Sequence, residues 1–186
     1  MTELSRPGIT PSQTVGPFFH DALLAEDRTR LVDEDYPGAI RLRGTVYDGA
    51  GEPVPDAMLE LWQADPEGRY GRTEERFSGF GRCGTDAAGS FEFVTVKPGR
   101  VPDPGGKEQA PHILVSVFAR GLLKRLVTRI YFPDEEAANA ADPVLSEVGE
   151  NLRSTLIARP ENGVLRFDVR LQDGPAGEPE TVFFDV

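Results

Sequence analysis

The side chains able to do chemistry near neutral pH are few and scattered. His20 and His112 are the two histidines, and Cys83 is the single cysteine. An activated nucleophile needs a base beside it, and Cys83 stands in no motif that would supply one. Gly79-Phe80-Gly81 lacks the further glycine and the following helix of a dinucleotide-binding turn, which argues against a phosphate cradle. By residue type alone, Tyr70 after Gly68-Arg69 reads as a packing tyrosine, and His112 at the head of an apolar run as a hydrogen-bonded core residue. His20 reads as a surface imidazole and Cys83 as a small buried side chain.

The elements that would position these groups are mostly strands. Ile40 to Asp48 alternates apolar and polar residues, the period-2 pattern of a half-buried strand, and Ala57 to Trp62 alternates again beyond a Gly- and Pro-rich turn. The two read as a hairpin. Further strand-length runs span Ser90 to Val96, His112 to Ala119, Leu126 to Phe132, Leu152 to Ala158 and Val164 to Leu171. Asn162-Gly163 between the last two is a strong hairpin signal. Only Asp134 to Ala141, rich in Glu and Ala and stopped by Pro143, reads as a helix. Many short strands joined by turns predict an all-β antiparallel sandwich. Gly71 to Phe80 and Gly99 to Pro111 are left as long loops, where sites tend to sit.

Composition narrows the function classes. At 186 residues the chain fits one domain, 1–186, with 1–39 as an arm with loops and 40–186 as the sandwich. A net charge of −11 argues against nucleic acid but leaves a small anionic ligand open, since one buried Arg can outweigh a screened distant field. One cysteine permits no internal disulfide, and the polar start Met1 to Gln13 carries no secretory signal, so a cytoplasmic protein without a membrane anchor is expected.

Four runs carry a more specific signal. Thr10 to Phe19 (TPSQTVGPFF), Leu61 to Tyr70 (LWQADPEGRY), Lys97-Pro98-Gly99 and Pro111-His112-Ile113-Leu114 resemble the intradiol ring-cleaving dioxygenases in order and spacing. The segments Thr128 to Phe132 and Glu180 to Asp185 resemble, within that family, the α subunits of its protocatechuate-cleaving branch. The resemblance implies a transthyretin-like (prealbumin-like) sandwich with long loops and one short helix. It also implies non-haem Fe(III), held in catalytic members by two tyrosines and two histidines. Those four positions fall here on Tyr70, Val101, His112 and Leu114, and a family arginine three residues before the histidine pair falls on Gln109. Two aliphatic side chains offer no lone pair, so the resemblance implies that the iron belongs to a partner β subunit and not to this chain. It implies further that Thr14, Gly16, Pro17 and Arg129 line a cleft shared between α and β subunits, within a higher oligomer of α-β units. Arg129 would meet the substrate carboxylate during O₂-dependent cleavage of protocatechuate to 3-carboxy-cis,cis-muconate, a step of β-ketoadipate metabolism.

Two other readings stay open at this level. Gly44 to Ala57 followed by Thr85 to Phe91 is also similar to non-enzymatic transthyretin-like binding domains. A self-sufficient dioxygenase would instead need His20, Tyr36, Tyr47 or Tyr131 to replace the lost ligands.

Overall fold

The computed structural model describes residues 13, 14, 16, 22–71 and 74–185. One sheet is antiparallel throughout, in the order β3 (Phe80–Gly84), β2 (Met58–Trp62), β7 (His112–Phe118), β8 (Leu126–Tyr131). The other is built on β1 (Ala39–Tyr47), which pairs antiparallel with β4 (Ser90–Val96) along one edge. Along its other edge β1 takes β10 (Val164–Arg166) and β11 (Val169–Arg170), both parallel to it, and β9 (Arg159–Glu161) flanks β10. A two-residue ribbon, β5 (Val101–Pro102) against β6 (Glu108–Gln109), stands apart from both sheets.

Strand alternation drives the stacking. Leu42 and Val46 on β1, Leu59 and Leu61 on β2, Phe91 and Phe93 on β4, and Ile113, Val115 and Val117 on β7 point inward and form one buried cluster between the sheets. Full burial of each such side chain is worth about 1.5 to 3 kcal/mol. The segment before β1 closes an open edge of the sandwich. Its backbone bonds to β3 through Arg82 N to Arg28 O and to β4 through Leu31 N to Val94 O, and Leu31 is fully buried between them.

The expected β1–β2 hairpin is corrected by the structure. The chain does turn at 48–54, where Asp48 accepts the amides of Ala50 and Glu52 and Val54 N bonds back to Val46 O. Pro53 and Pro55 cannot donate to a growing ladder, however, and the chain crosses to the opposite sheet instead. The run Leu152 to Ala158 is not a strand but a 3₁₀ turn (Arg153–Leu156) with a short extended tail. Leu152 and Leu156, four residues apart, pack on one side of it against a second small cluster. Val164 to Leu171 splits into β10 and β11 because Phe167 swings into the core, its amide still bonded to Arg43 O. The hairpin turn falls where expected, with Asn162 (φ 49°) and Gly163 (φ 82°) both in the left-handed region a type I′ turn requires, but its first arm is β9 rather than the run Leu152 to Ala158. The one helix described in full, α1 (Glu136–Ala141), falls within the predicted span. The short β3 strand had no recognised signal.

Gly44 is set by the Phe167 detour. A Cβ at this position would lie 1.7 Å from Phe167 O and 2.6 Å from the Phe91 ring. Gly44→Ala should therefore lower the denaturation midpoint by the equivalent of about 2 kcal/mol or more, read by urea unfolding, because backbone must move to admit one methyl.

Candidate functional site

The site forms where the outer face of the antiparallel sheet meets two loops. Outward-pointing residues align in register across all four strands as Phe80, Trp62, Leu114 and Arg129. One step further along β7 and β8, His112 pairs with Tyr131. That end of the outer face is covered by Ala138, Leu145, Val148 and Leu156 from the excursion after β8, which buries Tyr131 completely. Arg129 therefore sits at the boundary, half-buried, with a covered tyrosine on one side and open surface on the other.

The Asp65–Tyr70 loop is held by its own first residue. Asp65, fully buried, accepts the amides of Glu67 (3.0 Å) and Arg69 (2.9 Å) through Oδ1 and Arg69 Nε (2.8 Å) through Oδ2. The Lys97-Pro98-Gly99 turn is pressed against it, since a Cβ on Gly99 would lie 2.4 Å from Pro66 O and one on Gly68 2.2 Å from Arg100 O. This interlocked pair of loops places Tyr70 over Trp62. The rings lie 6.0 Å apart and 8° from parallel, and both remain exposed, at 48% and 43%.

Beneath the surface runs a polar chain. Arg129 Nη1 donates to Gln109 Oε1 at 2.7 Å and reaches Tyr131 Oη at 3.4 Å. Tyr131 Oη donates to Asp142 Oδ1 at 3.0 Å. Asp142 has no exposed surface, and its carboxylate also accepts the amides of Ala110, Val144 and Leu145 at 2.8 to 2.9 Å. His112 Nδ1 lies 2.8 Å from Ala110 O, so it donates there as the neutral ring. Gln109 itself is cross-strand partner to Val101 in the β5–β6 ribbon.

The electrostatics centre on Arg129. Burial, and secondarily the nearby Arg129 charge, lowers His112 to about 4, so the ring is neutral at physiological pH. Burial raises both Tyr70 and Tyr131, against which the Arg129 charge acts in each case. Both tyrosines are neutral phenols. Arg129 forms no ion pair with a carboxylate among the described residues, whereas Arg41, Arg43, Arg69, Arg76 and Arg82 each have one.

The structure thus brings Tyr70, Val101, His112, Leu114, Gln109 and Arg129 to one patch. Thr14 is exposed and Gly16 half-buried at φ 69°, and no described contact joins either to that patch. Pro17 and His20 lie outside the described residues. Cys83 is buried and its thiol pushed up by that burial. Tyr36 bonds to Glu74, Tyr47 lies under Arg170 and Tyr131 binds Asp142, so these three tyrosines are committed to separate tasks. At the four positions where the family resemblance implies ligands, one phenol and one imidazole beside two hydrocarbon chains do not fit a ferric ion. No group of three or more His, Cys, Asp or Glu residues fit to hold a metal occurs among the described residues. Asp142 and its link to Arg129 were not anticipated. The usable signal was Asp142-Pro143 directly after a helix, a turn-forming pair whose carboxylate caps the next amides.

The sequence pattern of the dioxygenase family matches residues 14–173. The chain belongs to that family. Within it, this dioxygenase chain is 45% identical to the protocatechuate 3,4-dioxygenase alpha chain of Pseudomonas putida, over 95% of this chain and 96% of that one. It is 34% identical to the beta chain of the Burkholderia cepacia enzyme, over 80% of this chain and 66% of that one. Among solved structures, the dioxygenase domain of a carbohydrate-binding fusion protein from Streptomyces sp. SirexAA-E superposes with a TM-score of 0.55 and 30% identity, covering 87% of this chain and 95% of that one.

Burial of neutral His112 makes this dioxygenase chain acid-sensitive. Its folded pKa, about 4, lies below the value near 6.5 expected when unfolded, so the unfolded state binds the proton first. Stability should rise with pH across that interval and be lost as pH falls from about 6.5 toward 4. Thermal unfolding of wild type against His112→Asn should show a gap in Tm that changes over this window and is constant above pH 7.

Proposed function

We propose that this chain is the α subunit of a protocatechuate 3,4-dioxygenase, which completes an active site whose Fe(III) is held by a partner β subunit. The observation that carries the reading is the match to an alpha chain over nearly the full length of both proteins. The hydrocarbon side chains of Val101 and Leu114 at two ligand positions support it, since they leave this chain without a ferric donor set. Bound in the partner, the iron would supply the Lewis acidity that activates the catecholic substrate toward O₂. Both atoms of O₂ enter the product as the bond between the two hydroxyl-bearing carbons breaks, giving 3-carboxy-cis,cis-muconate.

The work of this chain is binding, orientation and exclusion of water. Arg129 receives the substrate carboxylate: it is half-buried, unpaired by any described carboxylate, and presents further N–H donors beyond the one bonded to Gln109. Thr14, Gly16 and Pro17 line the same cleft, where glycine and proline let backbone approach a flat ring closely. In a chain of net charge −11, Arg129 is the local cation that favours an anionic ring over a neutral one.

A permanent α-β contact follows from the same reading, on the order of 2,000 Å² or more of buried surface. The exposed Trp62–Tyr70 stack supports such a contact. So does an apolar groove of about 800 Å³ lined by Ile40, Val96, Phe132, Pro133 and Leu165. The α-β pairs join into a higher oligomer, residues 1–186 act as one domain, and the assembly works in the cytoplasm. No helix among the described residues is long and apolar enough to cross a membrane.

Co-expression with a β subunit should give O₂ uptake on protocatechuate and one iron per α-β pair, while the isolated chain should be colourless and inactive. Stoichiometric iron in the isolated chain would overturn the assignment. In the assembled enzyme, Arg129→Ala should raise KM for protocatechuate by roughly 10- to 100-fold, the equivalent of a charge-assisted hydrogen bond, and leave catechol affinity unchanged.

A further inference from the structure

Arginine side chains have several rotatable bonds, so an unpaired guanidinium at a surface boundary would sample many orientations and bind a carboxylate weakly. Arg129 is not left free in this way. Gln109 reaches it from the β5–β6 ribbon at 2.7 Å, and Tyr131 touches the same Nη1 from beneath at 3.4 Å. Tyr131 is in turn fixed by Asp142, whose carboxylate is locked by three backbone amides. One corner of the guanidinium is thereby tied to two neutral oxygens that leave its charge uncancelled.

We infer that Gln109 and Tyr131 are positioning residues that fix the Arg129 guanidinium for an aromatic carboxylate, and that the amide at position 109 sets how strongly the site selects a carboxylated ring. The inference rests on the assignment of Arg129 to the substrate carboxylate. Three alternatives at position 109 show why a neutral acceptor is required. An arginine there would stand beside Arg129 as a like charge and repel it in a partly screened site. A glutamate would pair with Arg129 and compete with the substrate. An aliphatic residue would leave Nη1 unanchored. Glutamine holds the group through its carbonyl oxygen without neutralising it.

The test uses the assembled α-β enzyme, with KM and kcat for protocatechuate and the competitive affinity of catechol measured for Gln109→Met, Gln109→Glu and Tyr131→Phe beside Arg129→Ala. Assembly and iron content are checked for each variant. Gln109→Met should raise the protocatechuate KM about threefold to tenfold, and Gln109→Glu should raise it more, approaching Arg129→Ala. Catechol affinity and kcat should be unchanged. Gln109→Asn, which restores a shorter carbonyl, should recover part of the loss. Tyr131→Phe should raise the protocatechuate KM in the same direction, and an unchanged KM would remove Tyr131 from the positioning role; should it fail to assemble, the three Gln109 variants still decide the role of the amide. If Arg129→Ala loses selectivity while Gln109→Met and Gln109→Glu keep it, the positioning role is overturned and the Arg129 assignment stands. Equal losses for catechol and protocatechuate would mark Gln109 as merely structural. An unchanged Arg129→Ala would remove both.

Discussion

The arrangement depends on a half-buried guanidinium that has no carboxylate partner among the described residues. Removing a charge partly from water is costly unless something replaces the lost hydration, and an ion pair is the usual remedy. Here the remedy is a carbonyl oxygen from Gln109 and a phenol from Tyr131, dipoles that solvate the charge without cancelling it. The field is still felt by Tyr70, His112 and Tyr131, whose ionisation burial has already shifted. Arg129 thus charges a patch that otherwise contains neutral rings and hydrocarbon.

The sandwich explains why such a group can exist there at all. Inward faces of the two sheets are filled by aliphatic and phenylalanine side chains, so polar chemistry is confined to outer faces and loops. An outer face is normally wet, and a charge on it would be well hydrated. The segment after β8 changes that at one end by laying Ala138, Leu145, Val148 and Leu156 over Tyr131. The same segment brings Asp142, which follows helix α1 and whose four acceptor contacts tie together the 3₁₀ turn at Leu145, the link between β6 and β7 at Ala110, and Tyr131 on β8. A buried carboxylate satisfied this fully becomes a rigid mount for the tyrosine above it.

Much of this was legible in the residue order, and the failures have physical causes. Period-2 alternation located β1 and β2, and apolar or alternating runs of strand length located β4, β7 and β8; burial alternates cleanly along β7, while both faces of β4 and β8 are largely covered. Pairing was less legible: the turn after β1 looks like a hairpin turn and starts as one, but two prolines end the ladder, which is a matter of missing donors rather than hydrophobicity. The run from Leu152 was misread because apolar content does not distinguish a strand from a short helical turn. Parallel addition of β10 and β11 to β1 leaves no local mark, since both partners lie more than a hundred residues away. At the site, the hydrocarbon character of positions 101 and 114 could be read directly from residue types. The link from Arg129 through Tyr131 to Asp142 could not, because it joins a strand to a turn across a fold that only tertiary packing creates.

The four positions at which the family resemblance implies metal ligands divide evenly, with hydrocarbon at Val101 and Leu114 and a phenol and an imidazole at Tyr70 and His112. The phenol and the imidazole have nothing to neutralise, and both stay uncharged: Tyr70 leans on Trp62 as an aromatic surface, and His112 turns its proton to Ala110 O. The positive charge that an arginine at 109 would have supplied then has to come from elsewhere if the patch is to attract an anion within a chain of net charge −11. Arg129, on β8, supplies it, and an arginine at 109 would oppose it at short range. A glutamine at 109, a guanidinium at 129 and hydrocarbon at 101 and 114 are therefore mutually consistent: a permanent cation, covalently attached and held in place, stands among hydrocarbon and the neutral rings of Tyr70 and His112.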